Sequence, residues 1–276
     1  MPILNKDMQV CISLSARPSN LGTRFHNYLY DELGLNFIYK AFSTTDLPGA
    51  VAGIRALGLR GCSVSMPFKE AIIDLVDVME ASALAIESVN TVVNDDGVLT
   101  AYNTDFEAVA TALTRRNLDL SQPVLVRGSG GMAKAVVAAF RHVGFTDVTV
   151  VARNVDAGRS LAEKYGYAFA TESAALGGSF RGFGMLVNVT PIGMAGADAD
   201  GLSFPQALID EAATVFDVIA FPSVTPLIRA GEKAGTQMIS GAEIIALQAA
   251  IQFELYTGIA LSDEQVAQAS AFSREA

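Results

Sequence analysis

Gly128-Ser129-Gly130-Gly131-Met132-Ala133 fits the pattern G-x-G-x-x-A. It lies between an apolar run, Val124–Val126, that reads as a strand and a helical pattern over Met132–Val143. A second strand follows at Val148–Ala152. Strand, glycine turn, helix and strand together make a dinucleotide-binding unit, which a glycine cluster alone would not. Gly128 permits the tight turn, Gly130 lets backbone approach a pyrophosphate, and Ala133 lets helix pack closely on strand. The helix N-terminus turns free N–H groups toward the phosphates. At the end of the next strand an NAD protein usually carries Asp or Glu for the ribose 2′-hydroxyl. This chain has Arg153-Asn154 there, and a guanidinium suits a 2′-phosphate, which favours NADP over NAD. Asp156 follows close behind and keeps NAD open as the lesser alternative.

Outward from this unit, strands and helices alternate. Further strands read at Tyr167–Ala170, Met185–Asn188, Val215–Ile219 and Gln237–Ile239, as in a parallel, doubly wound sheet. Gly193–Gly201 reads as a flexible surface loop. Upstream, strands are expected at Gln9–Ser15, Phe37–Phe42 and Gly61–Ser65, and helices at Thr23–Leu33, Asp46–Leu57 and Phe68–Val76. Asn90–Val93 and Val98–Ala101 flank Asn94-Asp95-Asp96-Gly97, a hairpin signal that makes this first sheet mixed. The apolar helix Ala242–Tyr256 has no strand after it and is expected to return to the first domain. The fold class is therefore α/β in two domains. Residues 1–106, completed by 241–276, form a mixed-sheet substrate domain. Residues 107–240 form a Rossmann domain, with the active site expected in the crevice between them.

The 276 residues carry 19 Lys and Arg against 29 Asp and Glu, a net charge of -10, which disfavours nucleic acid as a partner. With 51% hydrophobic and 17% charged residues there is ample material for two cores. No apolar run reaches membrane-span length, and the N-terminus lacks signal-peptide character. Cys11 and Cys62 form no CxxC, which together with the missing signal suggests a cytoplasmic protein. His26 and His142 have no ligand partners at metal spacing, so no metal site is expected.

Three polar clusters remain in the first domain: Ser63–Lys69, Glu87–Thr91 and Tyr102–Asp105. Lys69 and Asp105 are the one acid–base pair they suggest. Each also has an ordinary role, Asp105 as a first-turn carboxylate and Lys69 as a surface lysine. Lysine is mildly disfavoured in a first turn, which hints at a reason for its presence. His26 reads as a helix residue packed at the crevice wall rather than a substrate contact, and Cys62 as a small core residue.

With these motifs in this order the chain resembles the shikimate dehydrogenases, and within them the divergent shikimate dehydrogenase-like branch. The family's N-V-T-x-P-x-K corresponds to Ser63-Val64-Ser65-Met66-Pro67-Phe68-Lys69, and its N-T-D to Asn103-Thr104-Asp105. Asn188–Met194, Thr225-Pro226-Leu227, Gly241 and Gln248 also match. The resemblance implies NADP-linked interconversion of shikimate, or a close analogue, and its 3-dehydro ketone, within aromatic amino acid biosynthesis through chorismate. It implies Lys69 as the proton-transferring residue, paired with Asp105. Ser65, Asn90, Asp105 and Gln248 would bind the substrate, a polyhydroxy carboxylate. Gly128, Ser129, Gly130, Gly131, Met132, Ala133, Arg153, Asn154, Thr190, Ile219 and Gly241 would line the NADP site. The expected assembly is a monomer or homodimer.

Two departures stand out. Aligning on His26-Asn27 puts Asn20 and Gly22 where the family has two carboxylate-binding serines, leaving Ser19, Asn20, Thr23 and Arg17 as candidates. In Asp217-Val218-Ile219-Ala220-Phe221-Pro222, Ala220 replaces a tyrosine that would contact substrate, which predicts slow turnover of shikimate. Arg159 lies two positions past the family's second 2′-phosphate arginine, whose place Ala157 holds. The alternatives are a quinate or aminoshikimate dehydrogenase using NAD or NADP, and a catalytically weak NADP-binding regulatory protein.

Overall fold

The computed structural model describes residues 4–177 and 182–275. The chain divides into two compact units, Met1–Glu107 with Ala246–Ala276, and Ala108–Ile245. In chain order the first part comprises β1 Gln9–Leu14, α1 Leu21–Glu32, β2 Phe37–Phe42, α2 Leu47–Ala56, β3 Gly61–Val64, α3 Phe68–Ala71, β4 Val78–Met79, α4 Ala81–Ile86, β5 Thr91–Asp95, β6 Val98–Tyr102 and α5 Thr104–Thr114. Then follow β7 Val124–Arg127, α6 Gly131–Val143, β8 Val148–Ala152, α7 Val155–Tyr165, β9 Ala168–Thr171, α8 Glu172–Leu176, β10 Met185–Asn188, α9 Gln206–Glu211, β11 Thr214–Asp217, α10 Pro226–Ala234, β12 Gln237–Ser240, α11 Gly241–Thr257 and α12 Asp263–Arg274. Both dividing points fall inside helices, α5 and α11, so the second comes at Ala246 rather than at Gly241.

The first unit holds a mixed sheet of order β2-β1-β3-β5-β6-β4, with β5 antiparallel to both neighbours. The β5–β6 turn is Asp96-Gly97, with φ of 52° and 92°. Positive φ at both positions is what a two-residue type I′ hairpin requires. Strand alternation sends neighbours in β1 to opposite faces. Ile12 joins a core with Val51, Ile54 and Leu99, while Cys11 joins Phe25, Leu29, Tyr39, Phe253 and Tyr256.

Two expectations for this unit need correction. Phe68–Val76 is not one helix, because after α3 a 3₁₀ turn at Ile73–Leu75 redirects the chain into β4, which pairs with β6. The Arg55 guanidinium takes the Leu75 carbonyl at 3.1 Å and the Asp77 carboxylate on the way. A further helix, α12, follows α11 and packs on α1, where the Arg24 guanidinium sits 4.4 Å from the Phe272 ring centroid. Its start carries a complete Ser262/Gln265 capping box, a signal that was present in the sequence.

The second unit is a six-stranded parallel sheet of order β12-β11-β10-β7-β8-β9. Read from β9 this is the 3-2-1-4-5-6 order of a doubly wound fold, with its switch point between β7 and β10. The Gly193–Gly201 segment is more closed than expected, since the Asp198 carbonyl accepts from the Gly193 and Gly201 amides at 2.8 and 3.0 Å. No helix among the described residues is long and apolar enough to cross a membrane.

Candidate functional site

In the first unit, β3 ends at Val64 and a short turn leads into α3, which carries Lys69. Lys69 Nζ donates to Asp105 Oδ2 at 2.6 Å, with the two side chains 30% and 19% exposed. The pair is accessible to a ligand yet shielded from bulk water on most sides. Asp105 is the second residue of α5, where the helix dipole favours a carboxylate. The Lys69 carbonyl accepts the Val89 N–H at 2.8 Å, tying α3 to the segment that enters β5.

Behind this pair lies a buried net of hydroxyls and amides. Asn90 Oδ1 accepts from the Thr104 N–H at 2.7 Å, the Thr91 hydroxyl at 2.9 Å and the Thr104 hydroxyl at 3.1 Å. Its oxygen is thus spent on holding β5 to the start of α5, which leaves the amide nitrogen for a ligand. Gln248 Nε2 donates to Thr104 Oγ1 at 3.1 Å, and Gln252 Nε2 donates to Thr91 Oγ1 at 2.7 Å and to Ser63 Oγ at 3.3 Å. Sequence reading missed Gln252 and the hub roles of Thr91 and Thr104. Gln252 stands four residues beyond Gln248, so both project from one face of α11.

The remaining substrate candidates lie on other segments of the first unit. Ser65 is exposed just beyond β3, while Ser19 and Asn20 are exposed ahead of α1. Asn20 precedes the helix without capping it through its side chain. The hydroxyls of Thr23 and Ser15 are buried and have no hydrogen-bond partner among the described residues. Buried hydroxyls usually find partners, so these two stand out. His26 is not at a crevice wall. It is fully buried, stacked on Tyr39 with ring centroids 4.5 Å apart, and burial pushes its pKa down to about 3. Cys62 is buried as well, and burial pushes its thiol well up.

In the second unit a cavity of roughly 570 Å³ is lined by Gly128, Ser129, Gly130, Arg153, Asn154 and Thr190, together with Ala152, Glu172, Val189 and Pro191. Gly128 has φ of +126°, and a Cβ there would lie 2.9 Å from the Val189 carbonyl oxygen. A Cβ at Gly130 would meet nothing within 4 Å, so the turn is open where a phosphate would rest. These features fit a dinucleotide cradle. Asn154 caps α7 by accepting from the Ala157 N–H at 3.1 Å. Thr190 is held by Asn188, whose Oδ1 accepts its hydroxyl at 2.6 Å. Asn188 in turn donates to Asp217 Oδ1 at 3.0 Å, and the Thr225 hydroxyl donates to Asp217 Oδ2 at 2.6 Å. Burial raises the Asp217 pKa above the ordinary carboxylate range, against the pull of these hydrogen bonds.

Gly131, Met132, Ala133, Ile219 and Gly241 are not in the lining of this cavity. Ala133 is buried where α6 packs on the sheet. A Cβ at Gly241 would lie 2.3 Å from the Val218 carbonyl oxygen, so that glycine serves close backbone packing. The Arg159 guanidinium lies over the Phe169 ring, 5.3 Å from its centroid. Glu172 is a lining residue that sequence reading missed.

A six-stranded parallel sheet with its glycine turn in one unit and a mixed sheet bearing a Lys–Asp pair in the other define a two-unit α/β protein with a Rossmann-type fold. The family model for the shikimate dehydrogenase substrate binding domain matches residues 18–92. A shikimate dehydrogenase-like protein of Haemophilus influenzae is 54% identical over 273 residues, 99% of each chain. A solved shikimate 5-dehydrogenase-like protein superposes with a TM-score of 0.95 at 55% identity, covering 99% of this chain and 100% of that one. The shikimate 5-dehydrogenase of Thermus thermophilus, solved with NADP(H) and shikimate, gives a TM-score of 0.84 at 28% identity over 96% of this chain and 100% of its own. The chain belongs to the shikimate dehydrogenase family.

Proposed function

We propose that this protein is an NADP-dependent alcohol dehydrogenase that interconverts shikimate, or a close analogue, and its 3-dehydro ketone. The observation that carries the reading is the Lys69–Asp105 pair at 2.6 Å, partly exposed and backed by a buried polar net. When bound, NADP accepts or returns the hydride. Gly128, Ser129 and Gly130 would cradle its pyrophosphate, and Arg153 and Asn154 would hold the 2′-phosphate.

The chain's own residues bind, orient and move the proton. Lys69 Nζ gives a proton to the carbonyl oxygen during reduction and takes it back during oxidation. Asp105 Oδ2 accepts from that ammonium, which fixes the donor in position, and contacts a neighbouring hydroxyl. Ser65, the Asn90 amide nitrogen and Gln248 orient the ring. Ser19, Asn20 and the unpartnered Thr23 hydroxyl take the carboxylate. Ala220 offers the substrate no hydroxyl, and one lost hydrogen bond is worth roughly 1–3 kcal/mol, so turnover of shikimate is slow.

A spectrophotometric screen of NADP and NAD against shikimate, quinate and aminoshikimate tests the reading. NADP with shikimate should give the highest kcat/KM, and Ala220→Tyr should raise it. Tight NADP binding without turnover of any of these alcohols would refute the enzyme and leave a regulatory binder. Arg153→Ala should raise KM for NADP and spare that for NAD, and equal effects on the two cofactors would overturn the 2′-phosphate assignment.

A further inference from the structure

The cofactor cavity contains a carboxylate that no 2′-phosphate site would seek. Glu172 lines it together with Arg153. The β8–β9 register pairs Ala152 with Thr171, so Arg153 and Glu172 each stand one residue beyond the last paired position of neighbouring strands. Parallel strands are about 4.8 Å apart, which puts the two backbones side by side at the carboxyl edge of the sheet. A free carboxylate beside Arg153 would repel a phosphate and compete with it for the guanidinium. Glu172 is not free. Arg127, the last residue of β7, donates from Nε to Glu172 Oε1 at 2.9 Å, and its Nη1 donates to the Ser203 carbonyl. The side chains of Arg127 and Glu172 are 12% and 25% exposed, so the pair is partly withdrawn from solvent screening.

We infer that Glu172 is a cofactor-specificity residue and that Arg127 is its counter-ion. Paired, Glu172 is neutralised and held back, and a 2′-phosphate is accepted at Arg153. Unpaired, its charge opposes the phosphate, while a plain ribose, whose 2′-hydroxyl can donate to a carboxylate, is tolerated. The ratio of NADPH to NADH affinity is therefore set by three residues at one sheet edge, Arg127, Arg153 and Glu172, and not by Arg153 alone.

This inference rests on the dinucleotide reading proposed above, and titration of the full chain separates the two. NADPH and NADH binding is followed by cofactor fluorescence at low and at physiological salt. Glu172→Gln leaves the Arg127 charge uncompensated beside Arg153, which should tighten NADPH by roughly 10-fold at low salt, less at physiological salt, and leave NADH unchanged or weaker. Arg127→Met should weaken NADPH by a similar factor and spare NADH, and adding Glu172→Gln to it should restore NADPH binding. If Arg127→Met does not fold, the Glu172→Gln ratio alone decides. An unchanged NADPH/NADH ratio in Glu172→Gln overturns the inference. Failure of the unmodified protein to bind either dinucleotide would instead overturn the dinucleotide reading.

Discussion

The two units build their candidate sites from different materials. In the Rossmann-type unit the cradle is backbone: a glycine at φ +126° and an open turn at Gly130, with side chains such as Asn188 and Asp217 holding loops behind it. In the mixed-sheet unit the site is side chain throughout, from Lys69 and Asp105 to the net of Asn90, Thr91, Thr104, Gln248 and Gln252. A backbone site depends on conformations only glycine adopts, so it tolerates little change at few positions. A side-chain site spreads its demands over many residues that are distant in the chain.

This contrast breaks first at Lys69. Lys69→Ala removes the proposed proton-transferring group, and general acid–base assistance is worth about 100- to 10,000-fold. Turnover should fall by that order while NADPH affinity, measured by fluorescence titration, stays near that of the unmodified protein. Loss of cofactor binding in this variant would mean the two sites are not separable. Gly128→Ala should do the reverse. A strained φ costs of order 1–3 kcal/mol, and the added Cβ also meets Val189. Dinucleotide affinity and melting temperature should both drop, and a variant that keeps both would show that backbone conformation does not limit this site.

Thr91→Val sharpens the contrast from the other side. It removes the hydroxyl that joins Gln252 to Asn90, and each lost hydrogen bond is worth about 0.5–1.5 kcal/mol because both groups keep other partners. Urea unfolding should shift by that amount with cofactor affinity unchanged.

The smallest effect concerns acid. The Arg55 guanidinium and the Leu99 N–H hold Asp77 below its ordinary pKa, so the folded state binds that proton less readily than the unfolded chain does. Asp77 therefore stabilises the first unit above the ordinary carboxylate range, near pH 4, and this is lost as pH falls through the folded value. In the second unit Asp217 has the opposite sign: its raised folded pKa means that protonation on acidification favours the folded state. Asp77→Asn should lower the neutral plateau of a melting-temperature profile slightly and leave the acid end unchanged, which flattens the acid limb, whereas an unaltered profile would show that Asp77 is not part of it.

Legibility in the sequence follows the same divide. The Gly128–Ala133 turn could be placed because a strand and a helix adjoin it within a few residues. The Asp96-Gly97 hairpin was readable for the same local reason. Gln252, Thr91 and Glu172 were not, since each acquires its role from a partner on another strand or helix. Nor could local pattern show the break after α3, because the edge pairing of β4 with β6 outweighs the helical preference of Phe68–Val76.

Sequence by itself determined what depends on covalent neighbours: the glycine turn with its strand and helix, Arg153 in place of an acidic residue, the mixed and parallel character of the two sheets, and the candidacy of Lys69 and Asp105. Only the tertiary structure decided which polar groups meet. Lys69 and Asp105 come to 2.6 Å because β3 and β5 are adjacent strands and α5 follows directly on β6, which pairs with β5. His26 goes into an aromatic core because α1 presents that face to Tyr39 and Phe253. Glu172 enters the cavity lined by Gly128, Arg153 and Thr190 because strand order sets the end of β9 beside that of β8. Local propensity acts over a few residues, whereas these contacts join residues far apart in the chain, and only packing brings them within hydrogen-bond range.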